Sequence, residues 1–300
     1  MAASIHYVDA PLGHEIRGVD LTSELSESDF KLIDKAYDDY GVITIRDQKL
    51  TPEQQIAYSK RFGPLTRYVT DRYNMQSHPE IFIVSNAVDE TGRNVGLEDA
   101  GRYWHTDMWV TPNPPRGSIL YALEVPEKDG QVFGDTYFSS TAAAYDALPE
   151  DLRKIIEGRK AVFSSEAYFN ARMARTPKDP VTGDYSPGVK ERAVERKKDT
   201  TQEHAMVKVH PRSGRKCIYF SEEAMTQIVG MDEKESAEVL EAVHQHVLKP
   251  EFIYRHRWAV GDLVMWDNIS CIHKATGDFT LPLRRTMHRT TLGHAPAAAA

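Results

Sequence analysis

Phe252-Ile-Tyr-Arg-His-Arg-Trp-Ala-Val-Gly-Asp-Leu-Val-Met-Trp266 holds two short runs, 252–259 and 263–266, on either side of Val260-Gly-Asp262. Both runs are rich in β-branched and aromatic residues, and the glycine break between them predicts a β-hairpin. Outward from it the same pattern recurs. Residues 81–84, 118–125, 136–139, 205–209 and 217–220 are short and mostly apolar, largely separated by Gly or Pro, and 284–292 forms a last strand. Many short strands at near-even spacing predict a sandwich or barrel.

Helices flank this β-rich part. Residues 26–40 carry Phe30, Ile33, Tyr37 and Tyr40 at helical spacing, with Gly41 placed to end the helix and the β-branched run Val42–Ile45 following as a strand. Thr51-Pro-Glu-Gln54 is a capping box with proline at the first helical position, and Gly63 closes that helix. Two more helical stretches are read at 142–148 with 151–157, and at 233–248. The class is mainly β with flanking helices.

Three hundred residues are enough for a well-buried core, and no repeat or linker divides them, so a single 1–300 domain is expected. Residues 168–203 are charged, contain Pro177, Pro180, Gly183 and Pro187, and show little periodicity, so they are expected to form a lid or flexible insertion. Thirty-seven Lys and Arg against 44 Asp and Glu give a net charge of −7, which argues against nucleic-acid binding through bulk charge. No apolar run is long enough to span a membrane, and the first residues lack the basic and apolar parts of a signal peptide. Cys217 and Cys271 could make one bridge at most, which points to a reducing compartment and a cytoplasmic protein.

The chemistry starts at Trp104-His-Thr-Asp107. On a strand, residues two apart share a face, so His105 and Asp107 would aim an imidazole and a carboxylate at one point. His273 is the candidate third ligand. Two His and one carboxylate on one face of a metal leave three positions open, which suits a non-haem iron(II) oxygenase. A His-x-Asp pair alone is weak among 12 histidines. Downstream, however, Arg285 and Arg289 lie four apart and would share the inner face of a strand, where two guanidiniums need anions. A dicarboxylate cosubstrate supplies one, held bidentately by arginine. Arg284, a neighbouring strand residue, faces the other way.

These residues resemble the taurine dioxygenase and 2,4-dichlorophenoxyacetate dioxygenase family of Fe(II)/2-oxoglutarate enzymes. The resemblance runs from Gly18-Val-Asp-Leu21 to Arg289-Thr-Thr-Leu292. Its most specific parts are Trp104-His-Thr-Asp107, His210-Pro-Arg-Ser-Gly-Arg-Lys216, Gly261-Asp-Leu-Val-Met-Trp-Asp-Asn268, His273 and Arg285-Thr-Met-His-Arg289. The resemblance implies a double-stranded β-helix (jelly-roll) core with iron held by His105, Asp107 and His273 at its open end. Arg285 would bind the distal carboxylate of 2-oxoglutarate, with help from the Thr136 hydroxyl. Arg289 would serve either the substrate or the cosubstrate. The implied activity is oxidation of a C–H bond of a small anionic organic substrate by dioxygen, with release of succinate and carbon dioxide. The reading leaves room for a homo-oligomer.

For the substrate, the resemblance points to Arg289, Met108, and the stretch with Tyr68, Asp71, Arg72 and Tyr73. A pocket histidine of the taurine enzyme has no counterpart here, where Val69 and Thr70 stand. An aromatic wall residue of that enzyme falls near Ala224, beside Met225, which leaves more room. Taurine is therefore not the expected substrate, while Arg289 still argues for an acidic group. His210, His244, His246, His256 and His288 are read as packing or surface residues, Cys217 and Cys271 as buried thiols, and Trp104 and Trp266 as walls around the metal strands. Two other readings stay open: a zinc hydrolase using the same His-Asp-His set, and a non-catalytic β-barrel binding module.

Overall fold

The computed structural model describes residues 2–67, 71–98, 100–176 and 200–293. A seven-stranded sheet runs, in spatial order, Ser4–His6, His14–Arg17, Val42–Ile45, Leu263–Asp267, Gly117–Glu124, Thr286–Leu292 and Phe82–Ser85. Its neighbours are antiparallel except His14–Arg17 with Val42–Ile45. A three-stranded sheet orders Ile253–His256, Thr136–Ser140 and Cys271–Ala275. A third sheet orders Thr201–Ala205, Lys160–Ser164 and Met225–Ile228.

Leu263–Asp267 shows how the layers form. All five residues are buried. Leu263 and Met265 join Ile33, Tyr37 and Phe62 under the helices, whereas Val264 and Trp266 face Phe138 and Cys271 of the three-stranded sheet. A strand covered on both faces reads as a continuous apolar run, and the two-residue repeat then sorts its side chains between layers. Trp266, Phe138 and His273 meet between the two sheets, with ring centroids 4.8–6.0 Å apart.

The hairpin expected around Val260-Gly-Asp262 does not form. Ile253–His256 pairs with Thr136–Ser140, while Leu263–Asp267 sits in the seven-stranded sheet. The chain crosses between sheets at a corner pinned by Asp262, whose Oδ2 accepts from His256 Nε2, Ala259 N and Arg46 Nη1 at 2.7–3.0 Å. Gly261 (φ +88°) passes so close to Gln48 that a Cβ there would lie 2.7 Å from its carbonyl oxygen. The turn signal was real, but it marks a change of sheet.

Both N-terminal helices follow their signals. Glu27–Tyr40 is capped by Ser26 and ends at Gly41 (φ 70°), and Pro52–Lys60 carries the Thr51/Gln54 capping box but caps at Arg61, two residues before the expected Gly63. Thr141–Asp146, Glu150–Ile156 and Glu233–Val247 form where helices were expected. The single strand expected at 205–209 is two, Thr201–Ala205 and Val207–Val209, interrupted by the fully buried Met206.

The expected lid needs correction at its edges. Residues 168–175 belong to the helix Ser165–Arg175, capped by Ser164, and 201–203 to the strand Thr201–Ala205, paired with Lys160–Ser164. That pairing is long-range, so local composition could not reveal it. Residues 177–199 lie outside the described residues. Among the described residues, no helix is long and apolar enough to cross a membrane.

Candidate metal centre

His105 was expected on a strand. It instead makes one antiparallel bridge to His273, with His105 N donating to His273 O (3.1 Å) and His273 N to His105 O (2.9 Å), and the chain then enters a turn. Met108 follows the acid at φ 52°, and its carbonyl accepts from Thr111 N at 3.0 Å. The bridge sets the two imidazoles opposite each other, with centroids 4.2 Å apart, and the turn brings Asp107 back between them.

His105, Asp107 and His273 are buried, and their ligand atoms all lie within 4.8 Å of one another. Asp107 Oδ1 is 3.7 Å from His105 Nε2 and 3.9 Å from His273 Nε2. His105 Nδ1 lies 2.8 Å from the Tyr103 carbonyl, which only accepts, so Nδ1 carries the proton and the Nε2 lone pair points into the site. Burial pushes His105 towards its neutral form, and His273 further still. Burial alone would raise the Asp107 pKa, but the Arg289 guanidinium 3.1 Å away holds it well below the usual carboxylate range. Neutral imidazoles and an ionised carboxylate are the states in which these groups bind a metal. The residues therefore fit a divalent ion.

The other oxygen of Asp107 is committed to the protein. Oδ2 accepts from Ser118 Oγ at 3.0 Å and from Trp266 Nε1 at 3.1 Å, and Arg289 Nη2 lies 3.1 Å away. The sequence reading missed Ser118 altogether and took Trp266 for a packing wall. It also missed Gly101 (φ +67°), where a Cβ would sit 2.8 Å from His105 Cε1. No local pattern flags Gly101, because the constraint comes from a ring four residues away.

Arg285 precedes the last strand, which starts two residues later than expected, at Thr286. Arg285, Met287 and Arg289 are buried and Thr286 and His288 half-buried, so the expected alternation holds. Arg284 turns outward to Glu124. Main-chain bonds to Asn86 fix Arg285, and its guanidinium lies 5.6 Å from the Trp258 ring. Trp258 Nε1 in turn donates to Thr136 Oγ1 at 3.0 Å. A Cβ on Gly134 would come within 3.1 Å of the arginine side chain. Burial pushes the Arg285 pKa down to about 10, and its buried Nε has no hydrogen-bond partner among the described residues. The carboxylates whose charge it feels are engaged elsewhere through one oxygen each, Asp135 Oδ2 by Arg255 and Asp278 Oδ1 by Gly134 N and Thr276. This is a built place for an anion.

The residues expected to touch substrate are scattered. Met108 adjoins the ligands along the chain and is half-buried. Tyr73 is buried against Phe82, with Arg72 over its ring, and Ala224 is fully buried in a cluster with Trp104 and Trp109. Tyr68 lies outside the described residues. The histidines set aside do point elsewhere. His210 bonds Asp267, His256 bonds Asp262, His246 bonds the Ala144 carbonyl, and His244 stacks on Phe220. Both cysteines are buried and free.

The family described as "Taurine catabolism dioxygenase TauD, TfdA family" matches residues 5–291. The chain belongs to this TauD/TfdA dioxygenase family. It is 32% identical to the alpha-ketoglutarate-dependent 2,4-dichlorophenoxyacetate dioxygenase of Cupriavidus pinatubonensis, over 92% of either chain. It is 31% identical to a pentalenolactone F synthase of Streptomyces arenae, over 93% of this chain and 91% of that one. A crystal structure of a taurine dioxygenase from Burkholderia xenovorans superposes with a TM-score of 0.76 at 31% identity, covering 98% of this chain and 90% of that one.

Proposed function

We propose that this chain is an Fe(II)- and 2-oxoglutarate-dependent dioxygenase that oxidises a C–H bond of a small anionic organic molecule. The observation that carries the reading is one carboxylate oxygen facing two imidazole Nε2 atoms, beside a buried arginine with no carboxylate of its own among the described residues. His105, Asp107 and His273 would hold Fe(II). Arg285 would take the distal carboxylate of 2-oxoglutarate, with Thr136 and Trp258 beneath it. Bound there, iron and cosubstrate supply oxidation of the substrate by dioxygen, with succinate and carbon dioxide as co-products.

The protein's own part is placement. Gly101 lets the His105 ring settle, and the Tyr103 carbonyl fixes its tautomer. Asn86 holds the Arg285 main chain, and Gly134 leaves room for its side chain. Burial strips water from both charged partners and so strengthens their attraction. A hydrolytic zinc site would have no use for Arg285. The two facing sheets with the ligands between them support a double-stranded β-helix core. Strands from both chain ends in one sheet support a single domain, for which one cooperative thermal transition is expected. Free buried thiols support a cytoplasmic setting.

Two relatives, a 2,4-dichlorophenoxyacetate dioxygenase and a taurine dioxygenase, are named for acidic molecules, which supports an anionic substrate. A panel of aryloxyalkanoates, alkyl sulfates, sulfonates and larger carboxylic acids tests this by substrate-stimulated succinate release. Stimulation by at least one anion, and none by its neutral amide or alcohol analogue, is expected. Equal stimulation by the neutral analogue would overturn the charge requirement.

A further inference from the structure

We propose that Ser118 and Trp266, together with Arg289, are positioning residues that make Asp107 a one-oxygen metal ligand. The inference rests on the metal reading above. Its basis is the sheet register. Ser118 and Trp266 are direct cross-strand partners, so their side chains leave the sheet on the same face. Thr291 pairs with Ser118 from the other side, and Arg289, two residues along, pairs with Leu120. The inner face of the seven-stranded sheet thus presents a hydroxyl, an indole N–H and a guanidinium from three adjacent strands to one carboxylate oxygen.

All three approach Asp107 Oδ2 at 3.0–3.1 Å, while Oδ1 faces the imidazoles. Ser118 is fully buried, Trp266 is 3% exposed and Arg289 6% exposed. The Ser118 hydroxyl and the Trp266 indole N–H hold Oδ2 by hydrogen bonds, since leaving would strand buried polar groups, and the Arg289 guanidinium adds its charge beside them. The consequence concerns coordination number. A carboxylate free to rotate can offer both oxygens to a metal, and a second oxygen would take one of the three positions that cosubstrate and dioxygen need. Tying down Oδ2 keeps that position open. Asp107 itself sits in a turn after a single bridge, so its own backbone does not enforce this orientation.

Mn(II) binding to the full chain, measured by titration calorimetry without cosubstrate, provides the test. Ser118→Ala removes only the hydroxyl, and Trp266→Phe removes the N–H while keeping a ring. Each should weaken Mn(II) about tenfold to a hundredfold, the usual effect of losing a group that orients a ligand. Ser118→Thr and Ser118→Val have the same shape and differ by one oxygen. Thr should bind like wild type and Val like Ala, with equal melting temperatures within the pair. Affinities within twofold of wild type for both Ser118→Ala and Trp266→Phe would overturn the clamp. If wild type bound Mn(II) no better than His105→Ala, the metal reading would fall instead, so the two failures are distinguishable.

Discussion

Two pairs of arginines sit in this molecule on opposite terms. Arg116 and Arg212 lie beneath the helix Glu27–Tyr40, and the helix brings their counter-charges. Arg116 Nη2 is 2.7 Å from Asp38 and 3.2 Å from Asp34, and Arg212 grips the same two carboxylates. Arg116 also lies over the Tyr37 ring at 4.5 Å. At the candidate metal centre, Arg289 shares Asp107 with whatever that carboxylate binds, and among the described residues no carboxylate is committed to Arg285. A buried charge that brings its partner is part of the fold. One that does not is a cost the fold carries for something that binds. This difference separates structure from function more sharply than burial does, since Arg116 is as buried as Arg285 and Arg289.

The comparison rests first on the ligands. Replacing His105, Asp107 or His273 by Ala should reduce substrate-dependent succinate release to background and abolish metal binding, with circular dichroism unchanged. A variant with normal iron-dependent turnover would remove that residue from the triad.

The same substitution in the two regions should then give opposite results. Arg285→Met should raise the apparent KM for 2-oxoglutarate about a hundredfold, within the 2–5 kcal/mol typical of truncating a buried charged partner. Its melting temperature should hold or rise, because an uncompensated charge is removed. Arg116→Met should leave that KM alone and cost about 3 kcal/mol, with Asp34 and Asp38 left partly unpaired. For a chain of this size that is roughly a 5 °C fall in Tm. Equal stability losses for the two variants would erase the distinction.

Lys208 gives the smallest and finest test. Its ammonium lies 3.3 Å from the centre of the Tyr219 ring, and burial pushes its pKa down to about 8. A lysine whose folded pKa is depressed destabilises the fold while protonated, so stability should rise as pH climbs from about 8 towards its unfolded value near 10.4. Lys208→Met should therefore stabilise the protein by about 1 kcal/mol at pH 7. That gain should shrink by pH 10, as followed by denaturant melts at each pH. A gain independent of pH would mean that packing, not charge, is responsible.

The triad was legible through the family resemblance, since a His-x-Asp pair alone is weak and His273 lies far along the chain, whereas spacing and charge marked the two inner arginines. Two-residue alternation placed Arg285 and Arg289 on one face and Arg284 on the other, as the structure has them. The capped helices were equally plain, since a cap is a local chemical signal. The donors on Asp107 were not, because Ser118 and Trp266 meet only through a register between strands about 150 residues apart. The corner at Asp262 read as a hairpin for a related reason. A glycine turn signals a reversal, but which sheet receives the next strand is decided by pairing with Val42–Ile45 and Gly117–Glu124.

The most direct test of the central claim, a metal on the triad with a dicarboxylate beside Arg285, is optical. Fe(II) and 2-oxoglutarate are added anaerobically to the protein and the visible spectrum is followed. Wild type should develop a weak metal-to-ligand charge-transfer band that saturates with cosubstrate. Asp107→Ala should show none, and Arg285→Met should need about a hundredfold more 2-oxoglutarate to reach it. A band that survives in Asp107→Ala, or one whose cosubstrate dependence ignores Arg285, would contradict the account.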